Sequence, residues 1–250
     1  MNYKKAIVSW SGGIDSTALL GHLLKAGYDV TTFYLEFYGL SFTTRELNAR
    51  EFFKSQLGCG LARFDSDGQW RGDEIRDGSF LWQFSPDGIE IPMRNRLIID
   101  YMVAQFGEYY VLGLGEYIGA DSWVVQDHVP GNDADVRSLT GYLHYNYGLK
   151  HRLMTLADFG ESRFKTDRVR LLRDELGQFS FMTTNCMADN EVHCGICYKC
   201  IERHVAMYSV FGYDATEYEA NPEHQPQFQQ YKEQMGATWP SRRPDETSQE

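Results

Sequence analysis

Cys186, Cys194, Cys197 and Cys200 fall within fifteen residues in the pattern Cys-x7-Cys-x2-Cys-x2-Cys, while the fifth cysteine, Cys59, stands alone. Four thiolates are the complement of a closed tetrahedral zinc site, and the two short spacings put neighbouring sulfurs within reach of one ion. Such clustering favours a metal over a disulfide framework; redox-active thiols and an iron–sulfur cluster are the competing readings. His193 and His204 are read as surface or supporting residues, because four sulfurs already suffice. The second stretch that could do chemistry is Trp10-Ser11-Gly12-Gly13-Ile14-Asp15-Ser16-Thr17. Its two glycines let the backbone pass close to a phosphate, and the hydroxyls of Ser11, Ser16 and Thr17 can donate to phosphate oxygens. A helix starting here would add amide donors and a favourable dipole. The competing reading is a glycine turn with Asp15 or Ser16 as an ordinary N-cap. The chain has no Gly-x-x-x-x-Gly-Lys-Ser/Thr pattern, which argues against an ordinary P-loop NTPase.

These residues need a scaffold, and the N-terminal half reads as alternating strands and helices. Lys5 to Trp10 is a strand; Ser16 to Lys25 is a helix with Leu19, Leu20, Leu23 and Leu24 at helical spacing. Asp29 to Phe37 is a second strand, Thr43 to Leu57 a helix stopped at Gly58, and Leu61 to Asp65 a third strand. Pro92 opens a helix over Asn95 to Phe106, followed by a strand at Tyr109 to Leu112 and a loop holding Gly113, Gly115 and Gly119. Helices at Ala134 to Tyr147 and Arg163 to Leu176 flank a strand at Arg152 to Leu156. The alternation predicts an α/β fold, a parallel sheet with helices on both faces, with ligands beyond the carboxyl ends of the strands. The expected division is a nucleotide-binding α/β domain over 1–180, a helical zinc-binding segment over 181–220, and a polar tail over 221–250. That tail holds four of the seven prolines and few aliphatics, so it is expected to be mostly mobile.

The chain has 250 residues, 42% of them hydrophobic, enough for an ordinary core. Lys and Arg number 24 against 35 Asp and Glu, a formal charge of −11 that repels polyanions and disfavours direct nucleic-acid binding. No apolar run approaches the ~20 residues that cross a bilayer, and Met1 to Trp10 lacks the apolar stretch of a signal peptide. The expectation is a cytoplasmic protein without a membrane partner.

Ser11 to Ser16 resembles the Ser-Gly-Gly-x-Asp-Ser signature of the PP-loop ATP pyrophosphatases. Together with the four-cysteine knuckle, the chain resembles the 7-cyano-7-deazaguanine synthase family, also called QueC-like, from about residue 5 to 210. Tyr38-Gly39 followed by Glu46, the Pro92-x-Arg94-Asn95 stretch and Lys165 at the head of a late helix are similar to family landmarks. The resemblance implies an adenine nucleotide alpha hydrolase-like fold. It also implies ATP cleaved between the α and β phosphates with Mg2+, and zinc held structurally by the four cysteines. ATP would lie on Trp10 to Thr17, with Asp15 and Lys165 catalytic and with Tyr38, Glu46, Arg94 and Asn95 on the substrate.

Chemically, Arg94 offers a planar fork for a carboxylate or phosphate, and Asn95 an amide that can read a purine-like edge. Lys165 could neutralise charge developing on pyrophosphate. Phe37, Tyr38 and Phe42 could stack on a flat heterocycle or simply fill core. The implied reaction is adenylation of the carboxylate of 7-carboxy-7-deazaguanine, then attack by ammonia and dehydration to the nitrile, a ligase chemistry serving queuosine biosynthesis. The alternative passes the activated acyl group to an amine of a partner protein, as in QueC-like enzymes of phage defence. A homodimer is the open expectation for assembly. Two departures fall where the family's substrate pocket should be. Tyr38-Gly39-Leu40-Ser41 replaces the usual Tyr-Gly-Gln with a nearby histidine, and Val129-Pro130-Gly131-Asn132-Asp133 replaces Tyr-Pro-Asp-Cys.

Overall fold

The computed structural model describes residues 4–37, 41–56, 76–80, 94–107, 111–115, 136–160, 165–186, 188 and 191–234. Five strands, β1 (Lys4–Ser9), β2 (Tyr28–Phe37), β3 (Arg76–Phe80), β4 (Val111–Leu114) and β5 (Arg152–Met154), form one sheet in the order β3-β2-β1-β4-β5. Every neighbouring pair is parallel. Around them run α1 (Ile14–Lys25), α2 (Ser41–Gln56), α3 (Arg94–Phe106), α4 (Val136–Tyr147), α5 (Lys165–Leu176), α6 (Tyr198–Phe211) and α7 (Pro226–Gln234). The expected α/β architecture is met, with element ends shifted by one or two residues. The strand expected at Leu61–Asp65 lies outside the described residues, and the third strand of the sheet is instead β3. Its Arg-Asp-Gly-Ser-Phe sequence has no run of β-branched residues, so local preference does not announce it.

A parallel sheet must be covered on both faces, and the side chains of β1 divide accordingly. Ala6 and Val8 join Leu19, Leu20 and Leu23 of α1 and Val169, Leu172 and Leu176 of α5 in one buried cluster. Ile7 points the other way, into a cluster with Phe33, Leu112 and Leu114, Ile99 and Met102 of α3, and Leu139 and Leu143 of α4. The leucines spaced three and four apart in α1 are therefore its sheet-facing stripe. Because β1 lies between β2 and β4, the chain's winding reverses between β1 and β4. The carboxyl ends there, Ser9 and Leu114, flank the crevice in which such folds place ligands.

The segment expected to be a mobile tail is ordered over its first part. A short 3-10 turn at Pro222–His224 leads into α7, whose Phe228 and Tyr231 are buried against Ile201 and Val205 of α6. Composition misjudged it because two well-spaced aromatics suffice to dock a nine-residue helix that is otherwise polar. Residues 235–250 lie outside the described set. Among the described residues, no helix is long and apolar enough to cross a membrane.

Candidate functional site

The Ser11–Thr17 stretch occupies the turn from β1 into α1, at that crevice. Gly12 sits at φ +75°, a left-handed conformation in which a side chain would be strained and would also meet Cγ of Arg50 at 2.9 Å. Gly13 is the N-cap of α1 with no side-chain cap, so Asp15 and Ser16 are left to the first helical turn and are not spent on capping. The Ser11 and Ser16 hydroxyls lie 3.2 Å apart, and the amide of Ser11 donates to Ser16 Oγ at 3.3 Å. Trp10, Ile14 and Thr17 are fully buried, the Trp10 indole donating to Thr17 Oγ1 at 3.0 Å. Of the three hydroxyls expected to meet a phosphate, Thr17 thus faces the core, while Ser11 and Ser16 stay at the loop. From the β4 side the chain comes so near that a Cβ on Gly115 would stand 2.6 Å from both Cα and N of Ser16.

Asp15 and Lys165, 150 residues apart, are brought into contact: Lys165 Nζ donates to Asp15 Oδ2 at 2.7 Å. Two partners that sequence reading missed complete the arrangement. Arg168 Nε lies 3.1 Å from Asp15 Oδ1, and Glu202 Oε2 lies 3.5 Å from Lys165 Nζ. Lys165 and Arg168 are buried, so their charges must be met inside the protein. Burial alone would raise the Asp15 pKa; the Lys165 and Arg168 cations outweigh it and hold the carboxyl below its ordinary value. Burial dominates at Glu202 and raises its pKa, with Lys165 opposing. Neither Arg168 nor Glu202 is marked in the sequence: Arg168 stands between Asp167 and Val169 and Glu202 between Ile201 and Arg203, and adjacent residues on a helix do not report each other's burial.

Behind the loop, Arg50 of α2 is fully buried, its guanidinium 5.3 Å from the Trp10 ring centroid and 4.4 Å from that of Tyr34. The Tyr34 hydroxyl donates to Glu46 at 2.6 Å, so the expected substrate residue Glu46 is engaged at the β2–α2 contact. Asn95 is buried at the second position of α3, whereas Arg94 is described only as the first residue of that helix. Tyr38, Phe42, Gly119 and Val129–Asp133 fall outside the described residues or side chains.

The four cysteines do converge. Their sulfurs lie within 4.8 Å of one another, with Cys194 and Cys200 at 3.9 Å. A tetrahedral zinc–thiolate site with bonds of ~2.3 Å has sulfur–sulfur edges of about 3.8 Å, so the cluster could hold a metal such as zinc. The amides of Ala188 and Cys194 donate to Cys186 Sγ, both at 3.3 Å, and that of Cys197 to Cys194 Sγ at 3.4 Å, as thiolate acceptors require. Hydrogen bonds from Cys197 and Cys200 hold the Cys186 thiol below its ordinary range. Arg45 of α2 ties the segment down through the carbonyls of Val192, Ala188 and Cys186. His204 lies between Asp214 (3.0 Å) and Glu223 (3.2 Å) and is not one of the four clustered ligands, and burial pushes His193 down to about 3.

The cluster and the loop are physically joined. Arg203 of α6, three residues after Cys200, donates to Thr183 Oγ1 at 2.9 Å and to the Phe181 carbonyl at 2.8 Å. The adjoining Thr184 amide donates to the Gly12 carbonyl at 3.1 Å, in a bridge pairing Gly13 with Thr184.

No family model matches the chain. It is 26% identical over 238 residues to 7-cyano-7-deazaguanine synthase 2 of Sulfurisphaera tokodaii, covering 86% of this chain and 48% of that protein. It is 28% identical over 228 residues to the 7-cyano-7-deazaguanine synthase of Desulfotalea psychrophila, covering 85% of this chain and 98% of the relative. With the synthase of Desulfitobacterium hafniense it shares 26% identity over 229 residues, 80% of this chain and 87% of the relative. The chain thus spans about half the length of the first relative and nearly all of the second. Similarity to three synthases of one name along four-fifths or more of its length, with the glycine loop and the four-cysteine cluster both assembled, supports the resemblance to the QueC-like family.

Proposed function

We propose that this protein is an ATP-dependent ligase that adenylates the carboxylate of 7-carboxy-7-deazaguanine and carries it, with ammonia, to 7-cyano-7-deazaguanine. The observation that carries the reading is the contact between Asp15 in the glycine loop and Lys165 on α5, at the carboxyl ends of the parallel strands. It is supported by the names of the three relatives.

In this reading the Ser11–Ser16 amides and hydroxyls take the phosphates of Mg·ATP. Asp15, kept ionised by Lys165 and Arg168, would hold the magnesium that accompanies the nucleotide, and Lys165 would offset charge growing on pyrophosphate. The substrate carboxylate attacks the α-phosphorus, forming an acyl–O–P bond as the bond to pyrophosphate breaks. Ammonia then attacks the acyl carbon and AMP leaves, giving the amide and releasing a proton. A second ATP activates the amide oxygen in the same way; loss of AMP and a proton leaves the nitrile. Placement and charge stabilisation suffice, and no covalent nucleophile is needed. Cys186, Cys194, Cys197 and Cys200 would hold zinc, which contributes to folding and not to a chemical step.

Incubation with ATP, Mg2+, 7-carboxy-7-deazaguanine and ammonium, followed by mass spectrometry, should show AMP, pyrophosphate and the nitrile. ADP and phosphate as the nucleotide products would contradict the first step. The changed Tyr38-Gly39-Leu40-Ser41 stretch favours a second reading, transfer of the acyl group to a protein amine, which the same experiment reveals as reaction halted before the nitrile and label on a co-expressed protein.

A further inference from the structure

We propose that Glu202 is a positioning residue for Lys165, anchoring the ammonium from α6 so that it remains at the Ser11–Thr17 loop when Asp15 turns to a ligand. The inference rests on reading that loop as the nucleotide phosphate site.

The ion pairs form a chain of alternating charge: Arg168 to Asp15 at 3.1 Å, Asp15 to Lys165 at 2.7 Å, and Lys165 to Glu202 at 3.5 Å. Glu202 thus brings a second carboxylate to the two buried cations. The side chains of Lys165, Arg168 and Glu202 are 2%, 0% and 0% exposed, so water does little to screen these charges from one another. A phosphate arriving at the loop competes with Asp15 for Lys165, and magnesium competes with Lys165 for Asp15. Either event loosens the 2.7 Å contact that presently fixes the ammonium. Glu202 is a second carboxylate at ion-pair distance from it, 3.5 Å away. Its place is set independently of the ligand, because it stands two residues past Cys200 in a helix pinned by the cysteine cluster at one end and by the three hydrogen bonds of Arg203. Tyr231 of α7 bears on the same carboxylate, so the docked C-terminal helix closes the back of this arrangement.

A double-mutant cycle separates positioning from mere packing. Binding of Mg·AMP-PNP is measured by calorimetry for the wild type, Glu202→Gln, Lys165→Met and the double variant, with zinc content and melting temperature followed for each. Glu202→Gln should weaken binding about tenfold in the wild-type background and less than twofold in the Lys165→Met background, since its effect passes through the ammonium. Equal weakening in both backgrounds, or none in the single variant, overturns the proposal. Should Glu202→Gln not fold, Glu202→Asp, which keeps the charge but withdraws it by one methylene, must show a smaller effect of the same sign that likewise vanishes without Lys165. A wild type that binds no nucleotide overturns the functional reading and this proposal together, whereas tight wild-type binding with additive variants overturns this proposal alone.

Discussion

Gly115→Ala is the sharpest probe of how the sheet holds the loop. The added Cβ would lie 2.6 Å from Ser16 Cα and N and 3.0 Å from the Asp15 carbonyl carbon, all backbone atoms that no rotamer change can move aside. Restoring an ordinary 3.4 Å contact from 2.6 Å requires about 0.8 Å of movement between β4 and the first turn of α1. Overpacking of this kind costs about 1–3 kcal/mol, or roughly 2–4 °C in melting temperature per kcal/mol for a chain of this size. Misplacing reacting groups by ~1 Å costs up to ~100-fold in rate, so pyrophosphate release should fall at least tenfold, more than the stability change alone explains. Gly141→Ala is the control, because a Cβ there meets nothing within 4 Å on an exposed part of α4. It should raise stability by about 0.5–1 kcal/mol through helix propensity and leave turnover unchanged. Wild-type turnover and melting temperature in Gly115→Ala would refute the packing argument.

Zinc analysis of purified protein should find one ion per chain, absent when Cys194 and Cys197 are both replaced by Ser; iron, or no metal, in the wild type would contradict the site. Asp15 has a depressed folded-state pKa, so its stabilising contribution is present above the unfolded carboxylate value of ~3.9 and is lost as pH falls through the lower folded value. Denaturant melts of wild type and Asp15→Asn should therefore differ by several kcal/mol at pH 7, and the gap should narrow as pH falls below ~3.9; a constant gap would show that Asp15 is not held by its cations. Phe228→Ala should destabilise the protein by about 3 kcal/mol, and amides around Phe228 and Tyr231 should be protected in hydrogen exchange, whereas a free tail would show neither.

Much of the site was legible because it is local. A glycine pair between an apolar strand and a leucine-striped helix specifies a β–α turn by backbone chemistry alone, and Cys-x2-Cys-x2-Cys brings sulfurs together within one turn and one helix start. The alternation of strands and helices likewise determined the parallel, two-faced sheet, since each period reports which side of a segment meets the core. What the tertiary structure alone decided is which distant charges meet. Lys165 looked the same whether it was solvated or catalytic, and only the docking of α5 beside α1 puts it on Asp15. Arg168, Glu202 and Arg203 carry no spacing signal, because a buried charge is tolerated only by partners that folding brings from elsewhere in the chain. For the same reason the polar composition of 221–250 concealed α7, whose stability comes from Phe228 and Tyr231 meeting Ile201 and Val205 and not from its own residues.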